Sequence, residues 1–167
     1  MTIDELKTVI HRQGDSYHHA LLRHAAEFVG RRPAISVPAV RRWLEAHSAE
    51  VGQCYRNAQY MCLAGVADAH YHEGYRSGGS EFAVHHAWVV LGGEVIDPTA
   101  ESADRVREGF GIAPAEPAAD AYLGISIPTK FLRDRLACVD AWLPVVADYL
   151  THLGTPVRHP TGNTLYS

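Results

Sequence analysis

Lysine is almost missing from this chain: Lys7 and Lys130 are the only two in 167 residues. The arginines are scattered and the formal net charge is −4, so no basic stripe is present for a nucleic-acid backbone to follow. Long apolar runs are also missing, which leaves no segment suited to crossing a membrane. Residues 1–16, "MTIDELKTVIHRQGDS", are polar and acidic and do not read as a signal peptide. Only three cysteines occur, Cys54, Cys62 and Cys138. Without an export signal they are expected to be reduced thiols in a cytoplasm, not a disulfide framework. Repeats and low-complexity tracts are absent as well. What remains is a hydrophobic fraction of 47% and a charged fraction of 20%, ordinary for one globular domain. A domain of this length buries roughly 70% of its unfolded surface.

The expected organisation is a single domain over 1–167. N-terminal helices fill 1–50, a core follows over 51–132, more helices over 133–154, and a tail over 155–167. Thr2 and Glu5 have capping-box spacing for a first helix ending near Gly14. Asp15 or Ser16 caps a second, in which Tyr17, Leu21, Ala25, Phe28 and Val29 form a stripe that Gly30 and Pro33 stop. Ser36 caps a third with Pro38 in its first turn and Val40, Trp43 and Leu44 facing inward. A fourth opens at Cys54 and runs to about Leu63, closed by Gly65. "AHYHEGYRS", "FAVHHAWVVL" and "EVIDPT" then read as an antiparallel meander. Residues 101–120 read as a loop with one helical turn at most, and "AYLGISIP" as a further strand. The segment after Pro128 is helical and broken at Pro144. Helices, then strands, then helices indicate an α+β fold.

The chemistry concentrates in two places. If Gly92 and Gly93 are the two turn residues of a hairpin, Leu91 pairs with Glu94 and Trp88 with Asp97. His86, Trp88 and Asp97 then project from one face, with His86 diagonal to Asp97 at roughly 7–8 Å between backbones. His85 points to the opposite face. Cys54 stands where "GQCYRNAQYMC" begins its helix. A free thiol titrates near about 8.5. A helix N-terminus and a nearby imidazolium both favour thiolate, and the same N-terminus offers N–H groups to an oxyanion. His86 then forms the ion pair and protonates a leaving group, while Asp97 orients the ring.

"GQC" opening a helix, followed by "HAWVV" and "VIDPT" on consecutive strands, resembles the Cys-His-Asp core of the transglutaminase-like superfamily. More narrowly, "CYRNA", "YHEGY", "HAWVVLGGEVIDPT" and "YLGISIP", over about 53–132, resemble a group of uncharacterised bacterial and phage-associated proteins. The resemblance implies a papain-type fold, a nucleophile helix packed on an antiparallel sheet. It also implies thiol chemistry on a peptide, amide or thioester, without a cofactor, through Cys54, His86 and Asp97.

Several other residues carry two readings each. Asn57, on the face of Cys54, either orients substrate or His86 or bonds a neighbouring loop. Gln53 either donates to an oxyanion or helps the chain enter the helix. Tyr71, Glu73 and Tyr75 share one face of their strand and either line a cleft or pack, and Trp88 joins them as a substrate-contact candidate. Gly74 marks a bulge or a close backbone approach. His70, His72, His85, His86 and Cys54 include zinc-ligand types, yet no close Cys-x-x-Cys or His-Glu-x-x-His spacing supports a metal. His18, His19 and His24 read as one solvated or partner-facing stretch, and Cys62 and Cys138 as inert core thiols. Two classes follow: a cysteine hydrolase or acyltransferase, and a scaffold of the same fold that does no chemistry.

Overall fold

The computed structural model describes residues 1–78, 82–113, 120–137 and 142–157. Among these, helices and one antiparallel sheet make an α+β fold. Helix α1 (Ile3–His11) starts on the expected capping box, with Thr2 and Glu5 each closing on the other's backbone. Helix α2 (Ser16–His24) is capped by Asp15.

The second helix is shorter than its apolar stripe suggested. At Ala25 the backbone turns extended, and Ala26–Val29 form a strand, β1. Phe28 and Val29 suit a pleated edge, and β1 pairs with the strand β5 (Asp120–Ile127), which would otherwise be an open edge. Ser36 does not cap the third helix either. It closes a 3₁₀ turn (Ala34–Ser36) by donating to the Pro33 carbonyl, and α3 (Pro38–Ala46) starts on Pro38 without a side-chain cap. Val40, Trp43 and Leu44 are buried as their spacing indicates.

Helix α4 (Cys54–Leu63) occupies the expected span, and Gly65 leaves it at φ +119°. The meander is β2 (His70–Gly78), β3 (Val84–Leu91) and β4 (Glu94–Ile96). The turn has Gly92 and Gly93 at φ +61° and +84°, so Leu91 faces Glu94, Val90 faces Val95 and Val89 faces Ile96. "EVIDPT" is not all strand, however. Asp97 caps helix α5 (Pro98–Gly109), which replaces the first part of the loop expected there. Asp at the cap with Pro at the first position is a helix-start signature that the polar composition obscured. Helix α6 (Thr129–Leu136) ends well before Pro144, residues 142–145 are not helical, and α7 (Val146–His152) follows.

The strand order is β1-β5-β2-β3-β4, antiparallel throughout. One face carries Tyr71, Ala87, Val89, Leu123 and Ile125 into the main core, beneath α1, α2, α4 and α7. On the other, Trp88, Val90, Val95 and Tyr122 form a smaller cluster with Phe28. The Arg32 N–H, just past β1, donates to the Val95 carbonyl on β4 at 2.9 Å, so the two sheet edges curl toward each other around that cluster.

Gly74 is a close approach, not a bulge. It faces Gly124 across β2 and β5, and a Cβ on Gly124 would stand 2.4 Å from Trp88 Cη2 and 2.7 Å from the Glu73 carbonyl oxygen. Gly124→Ala is therefore expected to cost about 1–3 kcal/mol by overpacking. Urea denaturation measures this; an unchanged midpoint would mean that strand and indole separate without cost.

Candidate active site

Strand β4 pairs with Val89, Val90 and Leu91 of β3, so among the described residues the His86 half of β3 has no strand beside it on that side. The N-terminal ends of α4 and α5 meet there. Gly52 at φ +81° turns the chain into α4, whose first residue is Cys54. Gln53, the residue before Cys54, makes no side-chain capping bond to α4, whose N-terminal end carries the thiol.

Asp97, 1% exposed, works in two directions. Its Oδ1 accepts from the N–H groups of Thr99 (3.1 Å) and Ala100 (2.9 Å), capping α5. Its Oδ2 accepts from His86 Nε2 at 2.8 Å and from the Tyr122 hydroxyl at 2.9 Å. With Nε2 taken, Nδ1 is the His86 nitrogen left for Cys54. Burial works against charge on the ring, but the Asp97 carboxylate outweighs it, and a hydrogen bond and charge attraction with Cys54 add to it. His86 is raised to about 9. Burial also pushes the Asp97 carboxyl up, yet the charge and hydrogen bond of His86, with Arg76 behind, hold it well below the usual carboxylate range. At neutral pH the two therefore form a buried ion pair.

The lesser candidates divide. Asn57 bonds a loop: its Nδ2 donates to the Glu50 carbonyl at 2.7 Å and to Thr99 Oγ1 at 2.9 Å. It ties the Cys54 helix to the start of the Asp97 helix. Gln53 is exposed directly before Cys54 and makes no capping bond.

Tyr71 and Glu73 line no cleft, because helices cover their face of the sheet. Both are fully buried, the Tyr71 hydroxyl donates to Glu73, and Glu73 accepts from the N–H groups of Val145 and Val146 at the start of α7. Tyr75 is half-buried, its hydroxyl paired with His18 Nε2 at 2.6 Å. His18 is accordingly a buried residue bonded to Asp15, whereas His19 and His24 are exposed. Trp88, 0% exposed, is a wall behind the ring, stacked on His86 at 6.5 Å and 14°. His85, on the opposite face as its register requires, is held between the Tyr17 and Tyr55 hydroxyls.

Cys54 and Cys62 are both free thiols; burial pushes Cys62 up to about 12. Cys138 lies outside the described residues. Among the described residues no group of three or more His, Cys, Asp or Glu is placed to hold a metal ion, and no helix is long and apolar enough to cross a membrane.

Arg76 and Tyr122 contact Asp97, Asp120 pairs with Arg76 and Arg31 with Asp120, and none of the four was anticipated. Arg76 shares the strand parity of His72, a usable signal. Which strand lies beside β2 decides the others, and local pattern does not carry that. No protein-family model, curated protein or solved structure matches the chain.

Proposed function

We propose that the chain is a cysteine-dependent amide or ester hydrolase or acyltransferase of transglutaminase-like, papain-type architecture, acting through an acyl-Cys54 intermediate. One observation carries this reading: a buried His86–Asp97 ion pair set against a thiol at the uncapped start of a helix. In the first half-reaction the Cys54 sulfur attacks the carbonyl carbon of a peptide, amide or thioester. The carbonyl oxygen takes the electron pair and faces the N–H groups at the start of α4. Collapse expels the leaving group, amine, alcohol or thiol, which takes its proton from His86 and leaves the ring neutral. The neutral ring then accepts a proton from water or from an acceptor amine as that group attacks the acyl carbon. The S–C bond breaks and the thiolate and imidazolium are restored. Side chains of this chain carry the proton transfers and the attack, and a cytoplasmic setting, where thiols stay reduced, suits it.

Exposure favours a second reading. Cys54 is 9% and His86 5% exposed, which fits a scaffold that keeps the arrangement closed. Intact-mass spectrometry after treatment with activated esters separates the two. The enzyme gains one acyl group, mapped to Cys54, and Cys54→Ser gains none there. A wild-type protein that stays unacylated under all such esters identifies the scaffold.

A further inference from the structure

The polar contacts behind Asp97 continue well beyond the residues that the proposed reaction uses. Arg76 on β2 places Nη1 3.5 Å from Asp97 Oδ2 and donates from Nη2 to Asp120 Oδ2 at 3.0 Å. Asp120, at the start of β5, also accepts from Arg31 Nε at 2.8 Å, and Arg31 Nη2 donates to Asp104 on α5. Arg107, 3.8 Å from Asp104, brings the chain of contacts to the surface. Charge alternates in sign all the way from His86 to Arg107.

The side chains of Asp97, Asp120 and Arg31 are 0%, 1% and 2% exposed. Buried ion pairs are a poor way to gain stability, because desolvation offsets most of the attraction and an apolar replacement often does as well. Their arrangement points to another role. Asp97 Oδ2 is shared: His86 and Arg76 are two cations facing one oxygen, and the Tyr122 hydroxyl bridges from it toward Asp120, at 2.9 and 3.3 Å. Whatever draws Arg76 toward Asp120 leaves more of Asp97 to His86.

We propose that Arg76 and Asp120 are positioning residues that set how firmly Asp97 holds the His86 imidazolium, with Arg31 and Asp104 extending that setting toward the surface. The inference deepens the reading of Cys54, His86 and Asp97 as a reactive set and rests on it. The described charged and titratable groups around the pair are Cys54 from α4, Arg76 from β2, Tyr122 and Asp120 from β5, and His72 behind Trp88. On its α5 side Asp97 receives backbone N–H groups.

The test is the His86 ring titration, followed by NMR in a Cys54→Ser background so that the thiol does not titrate with it. Removing the competing cation by Arg76→Met is expected to move the His86 midpoint up by about 0.5–1 pH unit. Asp120→Asn, which leaves Arg76 with Asp97 alone, is expected to move it down by a similar amount. Opposite signs from two neighbours in one network are what a packing role does not produce. If Arg76→Met does not fold, Arg31→Met (upward) and the less buried Asp104→Asn (downward) carry the same contrast. Folded variants that leave the midpoint fixed, or move it in one direction only, overturn the proposal. The titration does not depend on acyl chemistry. Fixed midpoints beside an acylated Cys54 reject the network alone; signed shifts beside an inert Cys54 reject the enzyme reading alone.

Discussion

At pH 6, iodoacetamide is expected to label Cys54 in the folded protein while Cys62 stays unmodified until denaturation. An ordinary thiol is about 0.3% ionised at that pH. A neighbouring imidazolium and the N-terminal end of a helix both favour attack by the sulfur over that of a lone thiol. Together these give about ten- to a hundredfold faster labelling than a free thiol. His86→Ala should remove the advantage, so that labelling rises only toward alkaline pH. Asp97→Asn should weaken it less, because the carboxylate acts on the ring and not on the sulfur. His85→Ala is the informative contrast. It takes a partner from the Tyr17 and Tyr55 hydroxyls, at a cost of about 1–3 kcal/mol in stability, and leaves His86 in place. Peptide-mapped labelling against pH, with urea denaturation of each variant, reads both effects. Equal loss of labelling in folded His85→Ala and His86→Ala would refute the assignment of His86 as the thiol's partner.

The parts of this site that were legible in the sequence are those set by local chemistry. Two glycines in a hairpin fix the register of β3 and β4, and with it the face that His86 shares with Trp88. Gly52 and Gly65 bracket α4. What escaped was set by partners distant in the chain. Phe28 and Val29 continue a helical spacing from Tyr17, and only the need of β5 for an edge partner makes them strand. Tyr71 and Glu73 look equally suited to a cleft or a core until α4 and the start of α7 cover them: Gln59 donates to the Tyr71 hydroxyl at 3.2 Å and to the Leu143 carbonyl at 2.8 Å. Arg76 meets Asp120 because β5 inserts between β1 and β2, a crossover that no local pattern announces. Asp97 is the intermediate case. Its dipeptide with Pro98 signals a helix cap, and being a cap is what releases the carboxylate from the ladder so that Oδ2 turns to His86.

Stability should depend on pH through three buried groups whose signs differ. Burial raises Glu73 from an ordinary 4.5 to about 7, against the N–H groups and hydroxyl that bond it. Its contribution is therefore complete below pH 4.5 and lost as pH rises through 7. Burial lowers His72 from 6.5 to about 4, so its contribution is present above 6.5 and lost as pH falls through 4. Between pH 4.5 and 6.5 these two oppose each other, and a plateau is expected. His86, held charged by Asp97 against the effect of burial, contributes fully below 6.5 and loses that contribution as pH rises through 9. Asp97 itself matters only below its ordinary 3.8, outside this window, and the attraction within the pair is counted once. The fall from pH 6.5 to 9 should therefore be about 3 kcal/mol, most of it from His86. Urea denaturation across pH 4.5–9 measures the curve, and two variants separate its parts. His86→Ala should flatten the alkaline fall. Glu73→Gln should leave most of that fall in place and turn the plateau into a rise of about 2 kcal/mol, the share of His72 no longer opposed. An alkaline fall that survives in His86→Ala would mean that the ring is not charged at neutral pH. A proton would then be missing from the side of the thiol where the proposed leaving group needs it.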